Sequence, residues 1–269
     1  ALITIVACGM TLAIISANID LSVGSTLAMA AMVAALTMQA TNIVIVAFLA
    51  AILTGAVIGY INGFLTTKAK IPSFLVTLGI MGAVRGIAMI ITETRAVQIY
   101  NQNYWNFFGD GNIKGIFPVP IIWTIAILII THVLLRYSVL GRYIYATGGN
   151  IQAARFTGVK TDRIIIWAFV ITGVLAALAG IILSSRMHAA RPNIGEGLEL
   201  NVIAAVILGG ASLSGGRGTI IGTLLGALAI GTLNNGLILL GFSTNVQMLV
   251  RGVVIIAAVV LAGRDEGSS

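Results

Sequence analysis

Gly141-Arg142-Tyr143-Ile144-Tyr145-Ala146-Thr147-Gly148-Gly149-Asn150-Ile151-Gln152-Ala153-Ala154-Arg155-Phe156-Thr157-Gly158-Val159 is the one long polar, basic stretch of this chain, set between apolar runs at 120–136 and 164–185. It carries no catalytic signature and reads as a short helix presented to a partner in the cytosol. What surrounds it decides the fold class. The chain is 58% hydrophobic and 9% charged, with a mean hydropathy of +1.06. A soluble domain of 269 residues could not hide so much apolar surface in one core. Apolar runs of roughly 17 to 25 residues are what a bilayer core of about 30 Å asks of helices. The expected fold is all-α, a polytopic integral membrane protein.

Working outward from 141–159, nine apolar segments are expected, at about 2–17, 22–38, 43–65, 72–92, 120–136, 164–185, 199–211, 218–240 and 246–263. The seventh is too short to cross alone, so it is either a half-helix or a segment that tilts with its neighbours. Residues 1–263 read as one transmembrane domain and 264–269 as a polar tail. If the loop after 136 is cytosolic, Lys68, Lys70, Arg136, Arg142, Arg155, Lys160, Arg163, Arg217 and Arg264 fall inside. Only Arg95, Lys114, Arg186 and Arg191 fall outside, while Arg85 and Arg251 lie within spans. Nine cations against four give the orientation and place the C-terminus in the cytosol. The chain begins Ala1-Leu2-Ile3-Thr4, with neither an initiator Met nor a charged leader, so the front is expected to be truncated. Residue 1 falls outside, and a cytosolic start would need one more span upstream, ten in all.

Small residues recur every four positions at Gly55, Gly59, Gly63, at Gly82, Gly86 and at Gly218, Gly222, Gly226. Such ridges permit close helix approach, within one chain or at a subunit seam. Cys8 is the single cysteine, so a disulfide framework is excluded. The two histidines, His132 and His188, have no metal-ligand neighbour at i+3 or i+4, and no serine has a base in register. Neither an enzyme, nor a cofactor, nor a metal site is expected. The glycine-rich run 209–218 lacks the Lys-Ser/Thr end of a phosphate loop. It reads as a helix break whose freed backbone groups are met by Ser212 and Ser214, with a place on a transport path as the alternative. Arg85 either bonds backbone carbonyls at a helix break or contacts cargo or a gate. No Asp or Glu lies deep in a span, which weakens an ion-coupled carrier. Asp20, beside Ser22, is expected to cap the second segment. In the loop 93–119, Tyr100, Tyr104 and Phe108 suit an interfacial aromatic helix or a docking surface for an external protein.

Read together, Gly148-Gly149-Asn150 with Ala153-Ala154 and Gly158 resembles the coupling segment of bacterial ATP-binding-cassette sugar importers, ribose type. That group lies in the branched-chain amino acid/sugar permease superfamily. Agreement continues at Ile19–Ser25, at Asn62-Gly63 with Ile71–Gly79, at Ile203–Gly210 running into Ser214–Gly218, and at Asn234–Leu237. The resemblance implies a permease subunit, paired as a homodimer or with a related permease, lying in lipid in the bacterial inner membrane. ATP would be used by separate ATPase subunits, and a periplasmic or lipid-anchored sugar-binding protein would deliver the cargo. That cargo is expected to be ribose or a similar monosaccharide, with a hexose, a furanone signal such as autoinducer-2, a polyol or a branched-chain amino acid as alternatives. Under this resemblance Gly148, Gly149, Asn150, Ala153, Ala154, Arg155 and Gly158 form the cytoplasmic coupling helix. Gly148 and Gly149 would permit the turn, Ala153 and Ala154 close approach, Gly158 the end of the helix, and Arg155 would meet an acidic rim. Arg85, Ser212 and Ser214 remain candidates for the path or gate.

Overall fold

The computed structural model describes residues 1–113, 115, 117–243, 246, 249, 250 and 252–254. Arg251, Lys114, most of the ninth expected segment at 246–263 and the tail at 264–269 lie outside the described residues. The architecture is all-α, with two short two-residue strand pairs among the described residues. Helices α1 (Leu2–Ile15), α2 (Val23–Thr41), α3 (Val44–Lys68), α4 (Ser73–Thr92), α5 (Gln102–Phe108), α6 (Val119–Tyr137), α7 (Val139–Gly149), α8 (Ile151–Phe156), α9 (Thr161–Met187), α10 (Leu198–Leu208) and α11 (Ile220–Leu239) follow in order. Six of these, α2, α3, α4, α6, α9 and α11, are long and apolar enough to cross a membrane. The chain is an integral membrane protein. Two expected spans are shorter: α1 has 14 residues and α10 only 11, where a crossing takes about 20.

At the centre stand α1, α2 and α9, most of whose residues are buried, while α3, α4, α6 and α11 turn apolar faces outward. Ile45, Leu49 and Leu53 on α3 and Ile125 and Ile129 on α6 are exposed, as lipid-facing side chains are. The 25 residues of α3 lie along the 27 of α9, and Gly55, Gly59 and Gly63 form the seam. A Cβ on Gly55 or Gly59 would overlap the backbone of Gly173 or Phe169. This ridge packs within the chain, as do Gly222 and Gly226 of α11 against Gly209 and Ala205. Gly218 lies in the loop before α11, not on its ridge, and a Cβ on Gly82 or Gly86 would meet nothing within 4 Å among the described residues.

Residues 16–22 break the apolar run between α1 and α2, and polar groups satisfy the freed backbone. The N–H groups of Ile19 and Leu21 donate to Ser73 Oγ (3.2 Å) and Thr77 Oγ1 (3.1 Å) of α4. Asp20 accepts a backbone N–H at the start of α2, as expected, although the N-cap position itself is taken by Ser22. Its Oδ1 accepts from the N–H (2.9 Å) and hydroxyl (2.6 Å) of Ser22, which is itself the N-cap residue, and its side chain is buried. Asn62 of α3 donates to Ser22 Oγ at 2.8 Å and reaches Asp20 at 3.4 Å. A buried carboxylate therefore does exist, in a break rather than in a span, where sequence reading had not placed one.

Opposite the basic end, β1 (Val97–Gln98) pairs antiparallel with β4 (Ala189–Ala190), and β2 (Asn112–Ile113) with β3 (Phe117–Pro118). Of the three aromatics expected at the headgroups, two are buried in the protein instead. Tyr100 lies outside the helix, and Tyr104 and Phe108 of α5 point inward rather than to headgroups. Tyr104 Oη bonds Ser184 Oγ at 3.0 Å, and Phe108 stacks on Phe48 at 5.7 Å. Burying two aromatics outweighs the interface preference of a single ring. His188, stacked on Trp105, pairs with Asp110, and His132 sits edge-on to Tyr137.

The α3–α9 seam yields a direct test. Gly59→Leu should destabilise the purified protein by about 1–3 kcal/mol through overpacking, while Gly86→Ala should stay within about 0.5 kcal/mol of the parent. Thermal unfolding in detergent reads both, and equal shifts would refute the seam.

Candidate functional site

The helix after α7 is built at a corner. Ser138 starts α7 by accepting from Gly141 N–H at 3.0 Å, and the extended Asn150 ends it by donating its own N–H to Ala146 O. Asn150 then caps α8, its Oδ1 accepting from Ala153 N–H at 2.9 Å. Gly158, at φ +86°, closes α8 in a Schellman motif: Val159 N–H donates to Ala154 O and Gly158 N–H to Arg155 O, both at 3.0 Å. Six residues are too few to be stable alone, so this helix exists because both ends are fixed.

Gly148 and Gly149 do not make the turn by backbone freedom, as sequence reading had it: both are helical, in the last turn of α7. Gly148 serves close approach instead. A Cβ there would overlap the carbonyl of Ile15 at the end of α1. The same carbonyl accepts from Gly216 N–H at 2.8 Å, and Tyr145 Oη donates to Gly218 O at 2.7 Å. The end of α7, the end of α1 and the 209–219 loop thus meet at one joint.

On α8 the side chains divide sharply. Ala154 is buried against the protein's own interior, so it does not offer the close external approach expected of it. Ala153 is exposed. Phe156, which sequence reading passed over, is 88% exposed, with Ile151 also exposed on the same short helix. A benzyl ring so bare was detectable from its place in the basic segment. Arg155 does not stand free. Its Nη2 bonds Asp162 Oδ1 at 2.9 Å and its Nε bonds Thr161 Oγ1 at 2.8 Å, while Lys68 Nζ reaches Asp162 Oδ2 at 3.0 Å. Arg155 therefore joins α8 to the starts of α9 and the end of α3.

Arg85 Nη1 donates to the carbonyls of Pro192 (2.6 Å) and Ile194 (3.1 Å), holding the break between α9 and α10. Ser212 and Ser214 lie beyond the other end of α10, about 16 Å along its axis, so the structure does not bring them to Arg85. Within their loop, Ser212 Oγ accepts from Ser214 N–H at 3.1 Å and Ser212 N–H donates to Arg217 O. Glu199 sits in the first turn of α10, where a carboxylate meets the positive helix end. Among the described residues, no group of three or more His, Cys, Asp or Glu is placed to hold a metal.

Residues 1–259 match the model of the family described as branched-chain amino acid transport system / permease component. The ribose import permease protein RbsC of Escherichia coli strain K12 is 43% identical over 266 residues, 97% of this chain and 82% of its own. RbsC of Bacillus subtilis strain 168 is 46% identical over 259 residues, covering 96% of this chain and 80% of its own. The D-allose transport system permease protein AlsC of E. coli K12 is 40% identical over 254 residues, 94% of this chain and 77% of its own. No solved structure matches the chain.

Removing the shared carboxylate should loosen α8 without unfolding the bundle, since half-exposed ion pairs are individually weak. Asp162→Asn should speed hydrogen exchange at residues 151–158 about two- to fivefold at unchanged thermal stability. Exchange equal to the parent's would show that Arg155 holds nothing.

Proposed function

Because the chain belongs to the family of branched-chain amino acid transport system permease components, we propose that it is the membrane-spanning subunit of an importer whose fuel is burned elsewhere. Its cargo is a small sugar, ribose first among them, as the names of its relatives indicate. ATP is hydrolysed on a separate ATPase subunit, the chain itself is not an enzyme, and it needs no cofactor of its own. A solute-binding protein delivers sugar from the side opposite the basic end. The basic end faces the cytosol of a bacterial inner membrane, in keeping with the excess of Lys and Arg there. Two copies, or this chain and a related permease, form the pore.

The observation that carries this reading is α8 itself: a bare Phe156 on a helix fixed at both ends, beside a joint that reaches the bundle. Exposed aromatics surrounded by polar surface mark anchors for a protein partner. A groove on the ATPase would take Phe156, Ile151 and Ala153, and its closure would press α8. Asn150 and Gly158 keep α8 a rigid piece, and Arg155 passes its motion to α9. Gly148 passes it to α1. A second reading keeps the machinery and changes the cargo, since permeases for allose and arabinose are also among the relatives.

The test is uptake of radiolabelled ribose by proteoliposomes holding this chain, its ATPase and its binding protein. Uptake should require ATP and the ATPase, and Phe156→Ala or Ala153→Arg should cut it at least about tenfold while thermal stability stays at the parent value. Uphill uptake by the chain alone would overturn the proposal, and ATP-driven uptake of allose or arabinose in place of ribose would select the second reading.

A further inference from the structure

At the basic end a cavity of about 1200 Å³ opens among the end of α3, the starts of α4 and α9, the 16–19 segment and the α7–α8 corner. Its charge is one-sided. Lys68, Lys70, Arg155, Lys160 and Arg163 stand around it against one carboxylate, Asp162, already shared by two of them. Two long helices start at its wall, α4 at Pro72 and α9 at Lys160, and neither has a side-chain cap. Their positive dipole ends add to the attraction for an anion, with Asp162 in the first turn of α9 offsetting part of it there. The third observation is independent of charge. Thr147, only 2% exposed, and Thr66 are among the lining residues, and the buried hydroxyl of each has no hydrogen-bond partner among the described residues. A buried hydroxyl is costly to leave unmet, so an acceptor from outside the chain would complete it.

We infer that this cavity binds a phosphate group, carried by a small phosphate ester of the cytosol or by the headgroup of an anionic lipid of the inner leaflet. A phosphate dianion brings two negative charges and three acceptor oxygens, which suits surplus cations, two helix starts and spare hydroxyls together. A neutral sugar would satisfy the hydroxyls and leave the charge unanswered. The occupant would touch the starts of α4 and α9 and the Asn150 corner at once, clamping α8 to its flanking spans. That consequence for transport rests on the proposed function; the binding itself does not.

The experiment therefore uses the full chain without any ATPase. In phosphatidylcholine nanodiscs the chain is titrated calorimetrically with ribose 5-phosphate, with ribose as the uncharged control. In a second arm, nanodiscs containing phosphatidylglycerol are used, and native mass spectrometry counts retained anionic lipid. The parent should bind ribose 5-phosphate more tightly than ribose, or retain phosphatidylglycerol. Lys70→Gln combined with Arg163→Gln, both exposed positions, should weaken that binding about tenfold, and Thr147→Val about threefold, at unchanged thermal stability. A response to the ester alone makes the ligand a metabolite, to the lipid alone a membrane component, and to both a site open to either. Neither response, or equal binding by the parent and the double variant, would overturn the inference.

Discussion

The carbonyl of Ile15 is the point on which the rest turns. The last carbonyls of a helix have no partner within it, and inside a bilayer an unmet one costs several kcal/mol. Here Gly216 supplies the hydrogen bond and Gly148 packs against the same group so closely that no side chain fits. One atom thereby fastens the end of α1, the end of α7 and the loop between α10 and α11. From there the chain returns through residues 16–22, pinned to α4 by Ser73 and Thr77 and to α3 by Asn62. Four helices are thus linked to the corner that carries α8.

The two ends of that corner are held with different strength. On the α7 side the hold is backbone packing without slack. On the α9 side it is a half-exposed chain of ions, Arg155 to Asp162 to Lys68, which stabilises little and yields easily. A helix gripped firmly at one end and lightly at the other can swing while still pulling on the bundle. This asymmetry suits a lever better than a brace.

The sequence made the class, the order of the helices and the short seventh segment legible, because apolar length and periodic glycine are local signals. Asn150 as a cap and Gly158 as a stop were legible for the same reason. What it hid depended on partners distant along the chain. Gly148 reads as a turn residue until Ile15 is seen against it. Arg155 reads as a free cation until Asp162, seven residues on, bends back to it. Asp20 reads as a helix cap, and only Asn62 shows that it is enclosed as well, while Tyr104 and Phe108 read as a membrane belt until α3 and α9 cover them. Ala154 is buried and Phe156 bare because the rotation of a six-residue helix is set by its two caps, not by its own composition.

The central claim, that α8 is the docking point for a separate motor, is tested most directly by shielding. Cys8 is buried, so a cysteine placed by Ala153→Cys would be the accessible thiol among the described residues. Its rate of reaction with a maleimide, compared between the chain alone and the chain assembled with its ATPase, reports whether α8 is covered. The account predicts at least about tenfold protection in the assembly. Equal rates in an assembly that still imports sugar would contradict it.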